Sequence, residues 1–154
     1  LAEVGVNISY NHAAISKPAE CSDNLRIATT LSDGVVVIKL FPGISESILR
    51  AILSVEGLKG VVLETYGSGN APTSEWFIKV LEEAINRGII VINVTQCAGG
   101  SVAMDLYETG VGLRSIGVVS GHDMTTEAAV TKLMYLGVLT TTLFGLRHSA
   151  LRRN

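Results

Sequence analysis

Two loops of this sequence carry the residue types that could do chemistry. One closes the run Gly60-Val-Val-Leu-Glu-Thr-Tyr-Gly-Ser-Gly-Asn-Ala-Pro72, and the other closes Ile89-Ile-Val-Ile-Asn-Val-Thr-Gln-Cys97. In each, an apolar run breaks abruptly into small and polar residues, as a buried parallel strand does when it delivers a loop to the rim of a sheet. Asn70, flanked by Gly67 and Gly69, offers a primary amide that serves either a turn or a ligand. Tyr107 offers a phenol that either packs or faces the same rim. Neither group can attack a carbonyl unaided. The chain shows no convincing set of nucleophile, base and orienter, so the chemistry open to these residues is positioning.

Other motifs resolve to structural readings. Gly67-Ser-Gly69 has two glycines of a dinucleotide loop but lacks the third, and no GxxxxGK[ST] run is present. Gly117-Val-Val-Ser-Gly121 has the wrong spacing for a nucleophile elbow, so Ser120 reads as a turn residue. His122 and Asp123 are adjacent and their side chains diverge; Asp123 reads as a helix cap. Cys97, alone at a strand end, reads as structurally buried. Cys21 and Cys97 form no CxxC and the three histidines are dispersed, which argues against structural zinc and for two unlinked thiols in a reducing cytosol. No cofactor is implied.

The elements that must position the two loops follow from periodicity. Val35–Ile38, Gly60–Leu63 and Ile89–Val94 read as strands, with Val118-Val119 a brief fourth. Between them lie helical patterns. Ser45 caps a helix to about Ser54 with Ile48, Leu49 and Ile52 inward. Thr73 or Ser74 caps the next, whose stripe is Phe77, Val80, Leu81 and Ala84, with Trp76 at the rim and Arg87-Gly88 ending it. A third helix spans about Met104 to Leu113. A fourth, capped by Asp123 or Thr125, runs to about Leu136 with Ala128, Ala129, Leu133 and Leu136 inward. After Thr140 the chain is either a packed helix or a frayed tail. Strand alternating with helix predicts an α/β fold: a small parallel sheet of about four strands, doubly wound and flavodoxin- or Rossmann-like, with helices on both faces. Ligands of such folds gather beyond the carboxyl ends of the strands, where both loops fall.

Composition fits one domain. With 154 residues, 47% hydrophobic and 17% charged, the chain can bury a core and is not disordered by composition. A net charge of −2 with scattered signs excludes a phosphate-neutralising surface, so no nucleic-acid partner is expected. No apolar run reaches the roughly 18 residues of a membrane span, and no basic-then-apolar export signal opens the sequence. The first ~25 residues, where Val4, Val6 and Ile8 alternate briefly, read as a linker or arm.

Taken jointly, several segments resemble the C-terminal domain of the cytoplasmic, type I L-asparaginases. The strongest are Gly60 to Pro72, Val94-Thr-Gln-Cys97 and Ser120-Gly-His-Asp-Met-Thr125; Gly5-Val-Asn-Ile-Ser-Tyr-Asn11 and Thr131-Lys-Leu add weaker support. The resemblance implies a cytoplasmic, two-domain amidohydrolase that converts L-asparagine and water to L-aspartate and ammonia. Its catalytic threonines lie in TGGT-like and TDT-like segments of a larger N-terminal domain, and neither segment occurs here. Residues 1–25 then read as the arm from a missing N-terminal catalytic domain, and 26–154 as the C-terminal α/β domain, inactive alone. As the family implies, the domain lends groups to a neighbouring subunit's active site in a homo-oligomer; Asn70 matches the amide that reaches across, and Tyr107 falls near a second such group. Some bacterial members also bind asparagine at a regulatory site. Thr95 and Cys97 match that pattern, while Glu64 stands where at least one regulated member has an arginine and would repel the ligand's carboxylate. Two other readings are a stand-alone amino-acid-sensing module and an assembly module. A related tRNA-dependent amidotransferase subunit ranks lower, because its loop differs from Gly69-Asn-Ala-Pro72.

Overall fold

The computed structural model describes residues 2–13, 15, 27, 29–104 and 108–142. Strands β1 (Ala2–Val4) and β2 (Ile8–Tyr10) form an antiparallel hairpin with Ala2 opposite Tyr10. Both are exposed along their whole length, so this segment contributes nothing to the core. Cys21, Tyr107 and the tail from residue 143 lie outside the described residues.

The sheet is built from β3 (Val35–Lys39), β4 (Gly60–Thr65), β5 (Ile90–Thr95) and β6 (Val119–Ser120), all parallel and in the order β3-β4-β5-β6. The first three connections contain α1 (Glu46–Leu53), α2 (Glu75–Asn86) and α3 (Glu108–Ser115); α4 (Thr126–Thr142) follows β6. The strand order runs in sequence without the reversal of a doubly wound sheet. With a constant crossover hand, α1 to α3 then share one face, and α4 supplies the other.

Period-two alternation divides the core accordingly. Val61, Leu63 and Val91 pack with Leu49 and Leu53 of α1, Phe77, Val80, Leu81 and Ala84 of α2, and Leu113 of α3. Val62, Ile92 and Val94 face the other way, against Ala129 and Leu133 of α4. Full burial of a side chain such as Phe77 contributes on the order of 1.5–3 kcal/mol. Trp76 meets its ring edge-on, with centroids 5.7 Å apart, as a rim residue beside a core one.

Several local expectations are corrected. Ile48 is 50% exposed, because the inward stripe of α1 runs through Leu49 and Leu53 instead. Ala128 is exposed likewise, one residue ahead of buried Ala129. The third helix is described over Glu108–Ser115, and Met104, its expected start, is a buried turn residue. α4 extends beyond Leu136 to Thr142. This is where Gly137 matters: a Cβ there would come within 2.8 Å of Ser32 Cβ, in a segment whose Ser32 amide donates to the Met134 carbonyl. Thr125 rather than Asp123 caps α4, its Oγ1 accepting from the Ala128 amide at 3.3 Å. Cys97 is exposed, not buried.

Long polar side chains tie α1 to α2. Arg50 donates from Nε to Glu46 at 2.8 Å and from Nη1 to Glu83 at 2.6 Å, and Arg87 Nη2 reaches the Leu53 carbonyl at 2.9 Å. The hydrogen bond from Arg50 holds the Glu83 carboxyl below the usual carboxylate range. Among the described residues no helix is long and apolar enough to cross a membrane.

Candidate functional site

The loop after β4 is closed on itself at the carboxyl end of the sheet. The Tyr66 amide donates to the Asn70 carbonyl at 2.9 Å, and the Asn70 amide donates back to Tyr66 at 2.8 Å. Both Gly67 (φ +51°) and Gly69 (φ +109°) take left-handed conformations that L side chains rarely adopt. Gly69 is also hemmed in, since a Cβ there would sit 2.8 Å from Val102 Cγ1. The result is a tight, glycine-dependent presentation of Asn70, which is half-buried.

Side chains from the strands hold this loop from below. Asn93, fully buried in β5, accepts from Thr65 Oγ1 at 2.6 Å and donates from Nδ2 to the Gly69 carbonyl at 3.3 Å. At the end of β5, Thr95 Oγ1 donates to the Gly67 carbonyl at 2.5 Å and accepts from the Cys97 amide at 3.0 Å. Gln96 Nε2 donates to the carbonyls of Leu40 and Glu64 at 2.7 and 2.9 Å, binding the ends of β3 and β4. From the far side, the Ala103 amide donates to the Ser68 carbonyl at 2.9 Å. Ser120 Oγ in turn donates to the Val102 carbonyl at 3.2 Å. Beside the loop lies an open cleft of about 410 Å³, lined by Phe41, Pro42, Ile44, Tyr66, Pro72 and Trp76 among others.

The structure therefore brings Asn70, Thr95 and Cys97 into one loop cluster. Glu64 is placed differently. Its side chain is on the α4 face, 14% exposed, where it accepts from Thr126 Oγ1 at 2.5 Å and lies 3.7 Å from Lys39 Nζ. A carboxylate at the first turn of α4 complements the positive end of that helix, so Glu64 pins α4 to the sheet. Tyr107 lies outside the described residues. Asn93, Thr65 and Gln96 were not singled out from sequence, although a signal existed: Asn93 interrupts the apolar run Ile89–Val94, and a polar residue there must find partners. Among the described residues no group of three or more His, Cys, Asp or Glu could hold a metal ion. The arrangement fixes the backbone at Asn70 at the carboxyl end of the sheet and presents its side-chain amide there.

The Glutaminase/Asparaginase C-terminal domain family matches residues 34–144, which take in both loops and all four strands of the sheet. The chain belongs to this family. This asparaginase-type C-terminal domain is 47% identical over 100 residues to L-asparaginase 1 of Escherichia coli K12, an alignment covering 65% of this chain and 29% of that protein. It is 40% identical over 136 residues to the human 60 kDa lysophospholipase, covering 88% of this chain and 23% of the human one. The crystal structure of L-asparaginase I from Vibrio cholerae superposes with a TM-score of 0.80 at 35% identity, covering 100% of this chain and 46% of that one. The asparaginase domain thus spans about a quarter of the curated relatives it matches and under half of the solved structure.

Proposed function

We propose that this domain serves in the hydrolysis of L-asparagine to L-aspartate and ammonia, by completing an active site whose catalytic threonines belong to an N-terminal asparaginase domain. The observation that carries the reading is the fixed presentation of Asn70, on a loop closed by Tyr66 and held by Thr65, Asn93 and Thr95. A side-chain amide carried on that fixed backbone can hydrogen-bond the substrate or the attacking threonine, and small errors in such positioning are costly in rate. Residues 1–25 are the connecting arm, Tyr107 is a second group reaching the same site, and the working protein is a cytoplasmic homo-oligomer in which one subunit's loop serves its neighbour. Alone, the domain is inactive. The E. coli and V. cholerae relatives, named L-asparaginases, support L-asparagine as the substrate. The test is a chimaera in which this chain replaces the C-terminal domain of E. coli L-asparaginase 1. It should release ammonia from L-asparagine, and the chain alone should not.

A second reading places amino-acid sensing at the loop of Thr95 and Cys97, without Glu64, which is committed to α4. It is favoured by the exposure of Cys97 beside the Thr95 hydroxyl. Calorimetric titration of the chain with L-asparagine checks it: saturable heat at millimolar ligand supports sensing, and its absence removes that reading.

A further inference from the structure

Asn93 is the one asparagine among the described residues that is fully buried, and it sits in a central strand between Ile92 and Val94. Burial of an amide costs about 1–3 kcal/mol unless both of its ends are hydrogen-bonded. A leucine would fill the position without that penalty. The partners of this amide fix its polarity. The Gly69 carbonyl can only accept, so Nδ2 faces it, and Oδ1 then takes the Thr65 hydroxyl. Thr65 is equally buried, and its hydroxyl also lies 3.2 Å from the Val94 carbonyl. The chain of donors runs in one direction: Thr65 to Asn93, and Asn93 to the residue immediately before Asn70.

We infer that Asn93 is a positioning residue, which with Thr65 sets the height and orientation of Asn70 for a substrate amide; this deepens the proposed asparaginase reading and rests on it. The geometry around Gly69 makes the coupling stiff. Val102 Cγ1 and Asn93 Nδ2 crowd the place a Gly69 Cβ would take, at 2.8 and 3.3 Å. The Gly69 carbonyl shares its peptide plane with the Asn70 amide, which is itself bonded to Tyr66, so turning one drags the other. The Ser68 carbonyl is held from outside by Ala103, which leaves the Asn93 amide as the inner strut of the loop.

The inference predicts effects on kcat rather than on substrate capture. In the chimaera with the N-terminal domain of E. coli L-asparaginase 1, Asn93→Leu lowers kcat tenfold or more with KM changed less than threefold. Thr65→Val does the same to a smaller degree, and Thr65→Ser, which keeps the donor, restores the rate. In the isolated chain, amide hydrogen exchange at Gly69 and Asn70 quickens at least tenfold in Asn93→Leu, while Val62 and Val91 of the core stay protected. Should Asn93→Leu not fold, the Thr65→Val and Thr65→Ser pair carries both measurements. Unchanged kcat and unchanged exchange at the loop overturn the inference while leaving an active chimaera, and with it the asparaginase reading, intact. A silent wild-type chimaera overturns the asparaginase reading, and the exchange arm still decides whether Asn93 holds the loop.

Discussion

The hydroxyl of Thr95 donates to the carbonyl of Gly67 at 2.5 Å and accepts from the amide of Cys97 at 3.0 Å, so one side chain joins the two loops at the rim of the sheet. Thr95→Val removes both bonds and leaves the Gly67 carbonyl and the Cys97 amide to solvent. A loss of about 1 kcal/mol in unfolding free energy is expected, together with faster amide exchange at Asn70. Thr95→Ser keeps both. Urea denaturation of the two variants checks the difference, and equal midpoints would mean that the hydroxyl ties nothing together.

Gly69→Ala tests the backbone itself. At φ +109° an alanine is strained, and its Cβ would meet Val102 Cγ1 at 2.8 Å. A cost of about 1–3 kcal/mol is expected from the backbone alone. Gly43 provides the control, since it has positive φ but open space, and its alanine variant should lose less. Thermal melts of the two variants rank them directly.

Asn70→Ala should leave the melt of the chain close to wild type while lowering the rate of the chimaera by about a hundredfold, the scale of a misplaced reacting group. A rate within twofold of wild type would remove Asn70 from the site.

Acid stability follows from two carboxylates, Glu83 half-buried and Glu127 exposed. Glu83 is held below its ordinary value of 4.5 by hydrogen bonding to Arg50, and Glu127 by its own backbone amide and the Thr125 hydroxyl. A depressed folded pKa means the contribution is complete above about pH 4.5. It is lost as pH falls through the lower, folded value. Arg50→Met should therefore lower the urea midpoint at pH 7 slightly and flatten its decline as pH falls below about 4.5. Salt should shrink the difference, because the Arg50–Glu46 and Arg50–Glu83 ion pairs lie near the surface.

Much of this arrangement was legible in the sequence, and the reason is periodicity. Phe77, Val80, Leu81 and Ala84 announce a helix stripe and are all buried. Ser45 caps α1 as its position before Glu46 requires, and Gly88, at φ +95°, ends α2. The misses share a cause. Ile48 and Ala128 lie at the edges of apolar stripes, where burial is decided by the neighbour that packs there and not by the residue's own type. Thr125 and Asp123 are both good caps by type; α4 begins at Thr126, which puts Thr125 in the capping position. Asn70 could be picked out because glycines flank it. Asn93 and Gln96 could not be placed, since their partners are carbonyls of Gly69, Leu40 and Glu64 that come near only once the strands are side by side.

The most direct measurement is ammonia release from L-asparagine, taken for the chain alone and for the chimaera that joins it to the N-terminal domain of E. coli L-asparaginase 1. A complementing C-terminal domain gives no ammonia alone and turnover in the chimaera, with that turnover falling in Asn70→Ala. Turnover by the chain alone, or a folded chimaera without turnover, would contradict it.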